Sequence, residues 1–152
     1  MNYWLMKSEP NTFSIMDLKN RPNQTEHWDG VRNYQARNML RDQMKKGDLA
    51  FFYHSNAEPS GIAGIVKIIK EGYPDFKAWD PTDDHYDPKS TEEKPQWYMV
   101  DVKFEKQFKR LISLTELREN PALKNMTLLR KGNRLSIMSV SAEEWKAILE
   151  MI

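Results

Sequence analysis

Short apolar runs separated by polar turns fill most of this 152-residue chain. Runs of this length that are rich in aromatic and β-branched residues, and that end at glycine, proline or polar residues, are typical of β-strands. The runs at residues 49–55 and 62–70 are joined by a short turn, which predicts a hairpin. Gly64 in the run at residues 62–70 indicates a bulge or a close approach of two backbones. We predict strands at residues 3–6, 49–55, 62–70, 97–104, 108–114 and 134–138.

Capping patterns predict the starts of four short helices. Asn33 is a good N-cap for a helix whose apolar residues recur at helical spacing up to Gly47, and Thr115 is predicted to cap a helix that ends near residue 120. Two further helices begin with the spacing of a capping box, in which a serine and an acidic residue each pair with the other's backbone N–H. These pairs are Ser14 with Asp17 and Ser141 with Glu144.

Together these elements predict an α+β domain in which a mixed β-sheet is flanked by short helices. Five or six strands in so few residues would leave sheet edges exposed, so we expect the sheet to curl into a partly closed barrel. A chain of this length is typical of one domain, which we expect to span residues 1–152.

Composition narrows the class of protein. The chain has no cysteine, which excludes disulfides, thiolate metal sites and cysteine nucleophiles. No apolar run approaches the roughly 20 residues of a membrane span, and the start of the chain lacks a signal-peptide pattern. We therefore expect a soluble monomer without a membrane partner, cytoplasmic if the protein is bacterial and nuclear if it is eukaryotic.

Charge is unevenly distributed along the chain. The net charge of +1 is too small for coating nucleic acid by bulk electrostatics. Residues 74–93 contain seven acidic and two basic residues, whereas residues 101–134 contain nine basic and four acidic ones. If the basic segment gathers on one face, it forms a patch able to contact a few phosphates; the alternative is a solvated surface of mixed charge.

Residues 28–37 combine an indole, a carboxylate, a guanidinium and an amide directly before a predicted helix. Arg32 at a helix start would hold a phosphate or a base-edge carbonyl well, and Trp28 can stack on a planar ring. The alternative is that Trp28 is an ordinary core aromatic and that Arg32 pairs with Asp29. The first interpretation predicts a binding site in this stretch.

Seven motifs, in order along the whole chain, resemble the EVE domain family. They are residues 3–10 (YWLMKSEP), 28–38 (WDGVRNYQARN), 51–56 (FFYHSN), 61–64 (GIAG), 86–88 (YDP), 99–102 (MVDV) and 134–136 (RLS). The resemblance implies a PUA-like mixed β pseudo-barrel with flanking short helices, related to YTH and ASCH domains. It also implies a non-catalytic nucleic-acid-binding module that reads a modified cytosine or adenine, in DNA or RNA, flipped into an aromatic pocket.

The same motifs imply which residues form the pocket. Where the family usually has proline after the last strand, this chain has Met138, Ser139 and Val140, so we expect the far rim and the ligand preference to differ. The residues implied for the pocket are Lys7, Ser8, Glu9, Trp28, Arg32, Asn33, His54, Ser55, Arg134 and Ser136.

A base inside a duplex must be flipped out before a deep pocket can read it, and stacking on Trp28 would return roughly 1–3 kcal/mol of the unstacking energy. Simpler structural roles are an N-cap for Asn33, a turn for Ser55 and a surface ion pair for Arg134. If these residues bind ligand, the expected base-edge contacts are Ser8, Asn33 and Ser55, and the expected phosphate contacts are Lys7, Arg32 and Arg134.

The enzymatic alternative is an RNA-processing or base-modification enzyme that uses the same pocket. Ser8 and His54 would then form a hydrolase triad with an acid, yet no nucleophile elbow surrounds any serine. Residues 83–87 lack the spacing of a calcium loop or of a His-x-x-x-His metal pair, so we expect them to shape a loop near the pocket or to repel wrong partners. No glycine-rich phosphate loop is present, and we expect neither a cofactor nor a bound metal.

Overall fold

A six-stranded mixed sheet organises the computed structural model, which describes all 152 residues. The strands follow the order β2-β5-β4-β3-β1-β6, in which only β1 and β3 are parallel neighbours. The strands are β1 (Tyr3–Ser8), β2 (Thr25–His27), β3 (Leu49–His54), β4 (Gly61–Pro74), β5 (Tyr98–Ser113) and β6 (Ile137–Val140). The helices are α1 (Ile15–Lys19), α2 (Tyr34–Asn38), α3 (Leu114–Glu119) and α4 (Ala142–Leu149).

Strand positions follow the apolar pattern, with three differences. The runs 97–104 and 108–114 form one strand, β5, whose pairing register with β4 shifts at several points. The polar segment of β2 carries no strand pattern, and it becomes a strand because it pairs with the edge of β5. The prediction that the last strand begins at Arg134 is wrong: β6 begins at Ile137, because the Asn133 side chain accepts the Leu135 N–H and holds that segment in a turn.

Helix starts match the predicted caps at three of four places. Asn33 accepts the Ala36 N–H at 2.9 Å, and both serine–acid pairs form complete capping boxes. The predicted cap at Thr115 is wrong, because Ser113 begins α3 and forms a capping box with Glu116. Beyond α2 the chain continues through a π-helical turn at Met39–Gln43.

Two core clusters lie on opposite faces of the sheet, because successive strand residues point to opposite sides. Trp4 and Met6 of β1 join the first core cluster, together with Trp28 and the apolar face of α2. Leu5, between them, joins the second core cluster, where Phe51 stacks on Trp145 of α4 at 3.9 Å. The first core cluster therefore supports the segment that follows β2.

The close approach of two backbones that the sequence predicts at Gly64 is present in the sheet. A Cβ atom at this position would lie 2.1 Å from the carbonyl oxygen of Lys106 on β5, so only glycine fits without moving the strands. Among the helices, none has the length and apolarity that crossing a membrane requires.

Candidate functional site

A cleft of about 470 Å³ opens at the ends of β1 and β2. Its volume lies within the roughly 300–1,000 Å³ of typical small-molecule sites. Apart from two aromatic side chains, Phe13 and Trp28, its wall is polar and charged. The lining residues are Lys7, Ser8, Thr12, Phe13, Arg21, Glu26, His27, Trp28, Asp29, Lys77, Thr82, Asp83, Asp84 and His85.

Trp28 is anchored at the base of the cleft. Its backbone N–H donates to the carbonyl of Val100 at 2.8 Å, which continues the pairing of β2 with β5. Its indole meets Phe52 edge-to-face, with ring centroids 5.4 Å apart, and only 7% of the residue is exposed. The indole is thus largely a core side chain, and the remaining exposed part lies at the cleft.

Lys7 is the one lysine or arginine of the cleft wall without a carboxylate within 4 Å. Arg21 pairs with Glu26 at 2.9 Å, and Lys77 pairs with Asp29 at 3.3 Å. Burial lowers the pKa of the Lys7 ammonium below its ordinary value. A half-buried donor that has no charged partner inside the protein is suited to a polar group of a ligand.

A loop, residues 82–85, forms another part of the cleft wall and is hydrogen-bonded to the segment after β2. Arg32 donates to the carbonyl of His85 at 2.8 and 3.1 Å, and to the fully buried carboxylate of Asp75 at 3.0 Å. The same carboxylate accepts the Gly30 N–H at 2.9 Å and the Lys77 N–H at 3.0 Å. Asp75 is therefore a satisfied buried charge that links Gly30 and Arg32 to Lys77.

His27 lines the cleft, and its ring is held by contacts to Asp101 and Tyr73. Its Nδ1 lies 3.0 Å from Asp101 Oδ1 and 2.8 Å from the Tyr73 hydroxyl, which itself donates to Asp101. Burial, and then the neighbouring Asp101 carboxylate, raise the pKa of the Tyr73 hydroxyl well above its ordinary value, so it stays protonated.

Of the ten residues implied by the sequence, three line the cleft: Lys7, Ser8 and Trp28. The Ser8 hydroxyl donates to the Phe13 carbonyl at 2.6 Å, and the Ser8 carbonyl accepts the Ser55 N–H at 2.9 Å. Glu9 accepts the side-chain amide of Asn56. These contacts hold the turn that follows β1 in place.

The remaining predicted residues support the cleft or lie outside its wall. Arg32 is occupied by Asp75 and His85 rather than by Asp29, and the Asn33 side-chain oxygen is occupied by the cap of α2. His54 Nε2 accepts the Ile15 N–H at 3.2 Å, and burial lowers the pKa of its imidazole. The Ser136 carbonyl accepts the Lys7 N–H at 2.8 Å, while the Arg134 side chain is exposed and unpaired.

Sequence reasoning missed most of the polar wall, including His27, Lys77 and Thr12. No motif marked these residues, since they meet only after β2 has paired with β5. The acidic segment is the one sequence feature that pointed to part of this wall, since Asp83 and Asp84 line the cleft.

Neither a hydrolase triad nor a metal centre forms from the residues weighed for them. Ser8 donates to a backbone carbonyl and His54 accepts a backbone N–H, so the two do not pair. No three His, Asp or Glu side chains converge as metal ligands. Instead, four carboxylates of the acidic segment each accept the backbone N–H two residues later, which shapes the loop; they belong to Asp75, Asp80, Asp83 and Asp87.

Comparison with known proteins gives a family and close structural relatives. The EVE domain model matches residues 2–151. Thymocyte nuclear protein 1 from Homo sapiens is 48% identical over 167 residues, which cover 99% of this chain and 73% of that protein. Protein PSPTO5229 from Pseudomonas syringae is 50% identical, with a TM-score of 0.93 and 98% of each chain covered.

A further solved structure is of human THYN1 protein in complex with 5-methylcytosine-containing DNA. It is 48% identical to this chain, with a TM-score of 0.93, and the match covers 99% of this chain and 97% of that one. These similarities, with the six-stranded mixed sheet and its short helices, confirm the predicted PUA-like fold.

Proposed function

This chain belongs to the EVE domain family, and from that premise we propose that it is a non-catalytic reader of a modified base in nucleic acid. The base is flipped out of the strand and enters the cleft beside Trp28. Modified cytosine in DNA is the first candidate ligand; modified adenine and RNA are the other members of the proposed range.

The observation that carries this proposal is the complex of the human relative with 5-methylcytosine-containing DNA. A relative that is 48% identical over nearly the whole chain shares the same arrangement of elements. In this chain that arrangement produces a cleft at the ends of β1 and β2, which has the volume of a small-molecule site.

The charge of the cleft favours a base over a phosphate. Its wall holds four carboxylates against three lysine and arginine side chains, and two of these cations are already paired. A phosphate in such a site would face uncompensated like charge, whereas a neutral base with donors and acceptors on its edge would not. The phosphates therefore remain outside, near exposed cations such as Arg134.

Flipping a base out of the strand costs a few kcal/mol, which interactions in the cleft must compensate. Contact with the Trp28 indole and hydrogen bonds to Lys7 and to the polar wall supply it. Burying the added methyl group of 5-methylcytosine contributes about 0.8 kcal/mol, or about fourfold in affinity over unmodified cytosine.

The test measures fluorescence anisotropy with oligonucleotides that carry cytosine or 5-methylcytosine, as DNA and as RNA. We expect Trp28→Leu to weaken binding of the modified oligonucleotide by roughly 5- to 150-fold, the equivalent of losing about 1–3 kcal/mol of stacking. Trp145→Leu is the matched control, because this indole is also buried but belongs to the second core cluster. Equal loss of binding in both variants would contradict the pocket assignment.

A second measurement separates reader from enzyme. The protein is incubated with each oligonucleotide, and the mass of the oligonucleotide is then measured by mass spectrometry. A reader leaves every mass unchanged, while any change of mass that depends on the protein would overturn the proposal in favour of the base-modification enzyme.

The names of several relatives support a proposal about the cellular location of this protein. Several relatives are named thymocyte nuclear protein 1, from human to chicken, so we propose a nuclear location if this chain is eukaryotic. For a bacterial source, the proposed location is the cytoplasm, where the nucleic acid is.

A further inference from the structure

The imidazole of His27 is fixed in the cleft wall by neighbours on one of its two nitrogens. Nδ1 lies 3.0 Å from Asp101 Oδ1 and 2.8 Å from the Tyr73 hydroxyl oxygen. The ring also meets Phe76 nearly edge-on, with centroids 5.3 Å apart and planes 85° apart. Packing and hydrogen bonds together therefore hold the ring in one orientation.

These contacts determine which nitrogen carries the proton. An ionised carboxylate only accepts hydrogen bonds, and the single proton of Tyr73 is directed at the carboxylate of Asp101. Both atoms next to Nδ1 therefore present lone pairs, so Nδ1 carries the hydrogen and donates it. In a neutral imidazole, Nε2 is then an acceptor with a free lone pair.

The free nitrogen belongs to the cleft side of the ring. His27 lines both the cleft and a neighbouring cavity of about 310 Å³, whereas Asp101 lines only the second one. Because Nδ1 is turned toward Asp101, Nε2 on the other side of the ring is turned away from that cavity and toward the cleft. No protein group makes a hydrogen bond to His27 Nε2, and 40% of the side chain is exposed. The cleft thus contains an oriented acceptor that the fold itself does not use.

We propose that His27 is a specificity-determining residue, whose Nε2 accepts a hydrogen bond from the exocyclic amino group of the bound base. Asp101 is the positioning residue that sets this tautomer. The selected class is cytosine and adenine, which carry an amino group, against thymine and uracil, which carry a carbonyl oxygen at the corresponding place. This inference rests on the proposed function and deepens it.

The rest of the wall agrees with an amino-bearing ligand. Glu26 and Asp84 add carboxylate oxygens to the same cleft, and these groups only accept hydrogen bonds. A carbonyl oxygen placed against Nε2 would leave two lone pairs facing each other inside a partly desolvated site. A site built to hydrogen-bond one group rejects the analogue that lacks it, because its own polar atom is then left unpaired.

The experiment compares two oligonucleotides that differ at one base, 5-methylcytosine or thymine. Both bases carry the same methyl group, so size and methyl burial cancel, while thymine has a carbonyl in place of the 4-amino group and an N–H in place of the N3 lone pair. We expect the wild type to bind 5-methylcytosine about 10-fold or more tightly than thymine. His27→Phe keeps a ring without the acceptor, and should reduce the preference for 5-methylcytosine, so that the ratio of the two dissociation constants moves toward one.

Tyr73→Phe separates the two neighbours of Nδ1, because it removes the hydroxyl but leaves the carboxylate of Asp101, which we assign as the residue that sets the tautomer. We expect its ratio to stay at the wild-type value. Asp101→Asn can offer an amide N–H to Nδ1 and so move the ring proton to Nε2, which should shift the ratio toward thymine. An unchanged ratio in His27→Phe would overturn the inference.

Nitrogen NMR of the imidazole tests the tautomer without any ligand. We expect the wild type to show a protonated Nδ1 and an unprotonated Nε2 at His27, and Asp101→Asn to lose this preference. A wild-type ring protonated at Nε2 would overturn the inference. If the wild type binds neither oligonucleotide, the proposed function fails and the inference with it; if it binds both equally, only the inference fails.

Discussion

At the scale of single residues, the cleft depends on side chains whose hydrogen bonds require one protonation state. His54 is such a residue, since its Nε2 accepts the Ile15 N–H at the start of α1. A protonated imidazole cannot accept this bond. Burial lowers the pKa of His54, and the nearby Asp17 carboxylate opposes this shift only in part.

The lowered pKa makes stability depend on pH in a definite direction. The unfolded chain takes up a proton near pH 6.5, whereas the folded protein takes it up only at lower pH, so the unfolded state binds more protons between these two values. We expect the free energy of unfolding to fall as pH decreases below about 6.5, by less than about 1.4 kcal/mol per pH unit from this residue. Urea denaturation at pH 8, 6.5 and 5.5 measures this change in the free energy of unfolding.

His54→Gln should reduce this pH dependence, because a glutamine side-chain oxygen can accept the same N–H at any pH in this range. His85→Gln is the control, as this ring lies on the exposed loop and accepts no backbone hydrogen bond. An equal change of slope in the two variants would contradict the role of His54.

At the scale of elements, the cleft exists because a loop packs on a turn. Gly30 has a φ of +79°, and a Cβ atom there would lie 2.7 Å from the imidazole of His85. This contact, with the bonds from Arg32 to the His85 carbonyl, sets the distance between the two walls. The glycine is therefore favoured by its backbone conformation, and a Cβ atom at this position would also require the exposed His85 ring to move.

Gly30→Ala tests this packing. We expect the substitution to lower the free energy of unfolding by roughly 1–2 kcal/mol from backbone strain, and also to weaken oligonucleotide binding because the loop at residues 82–85 is displaced. Denaturant unfolding and anisotropy measure the two effects.

Gly132→Ala supplies the matched control, because Gly132 has nearly the same φ, +78°, but open space around its Cβ position. We expect a similar loss of stability with binding unchanged. If both variants bind like the wild type, the loop does not form part of the binding site.

Helix caps show how local elements follow from the sequence. Three of the four predicted N-caps are present, because a cap needs only its own residue and the next three. The exception, Thr115, failed because Ser113 two residues earlier is paired in β5 and already has the required geometry with Glu116. A long-range strand pairing thus decided where a local signal took effect.

At the scale of the whole molecule, the near-neutral charge limits contact with phosphates. The net charge is +1, so for the proposed nucleic-acid ligand we expect the affinity to come mainly from the cleft and from few ion contacts. Arg134 is one candidate, since it is exposed and unpaired and lies two residues before Ser136, whose carbonyl accepts the Lys7 N–H at the cleft.

Arg134→Gln should weaken binding of modified and unmodified oligonucleotides alike and leave their ratio unchanged. Plotting the logarithm of the binding constant against that of salt concentration, we expect the slope to become shallower by about 0.7–0.9, the value for one lost phosphate contact. Lys146→Gln on α4 is the control, because this helix packs on the second core cluster and contributes nothing to the cleft. Equal slopes for the two variants would exclude Arg134 from the interface.

The sequence by itself determined the strands other than β2, although not the start of β6 or the continuity of β5. It also determined three of the four helix starts and the family, because alternation and capping act over a few residues and the motifs are read in order. It also marked Lys7, Ser8 and Trp28, which line the cleft. The strand and helix signals are short-range, whereas the cleft residues were indicated by the family motifs.

Only the tertiary structure decided which side chains meet in the cleft and which are used elsewhere. Arg32 contacts Asp75, 43 residues away, and the carbonyl of His85, 53 residues away. His27 contacts Asp101 across 74 residues. No local pattern specifies such pairings, because they form only when β2 joins β5 and the acidic loop packs on Gly30. In the cleft wall they leave His27 Nε2 and the Lys7 ammonium without hydrogen-bond partners.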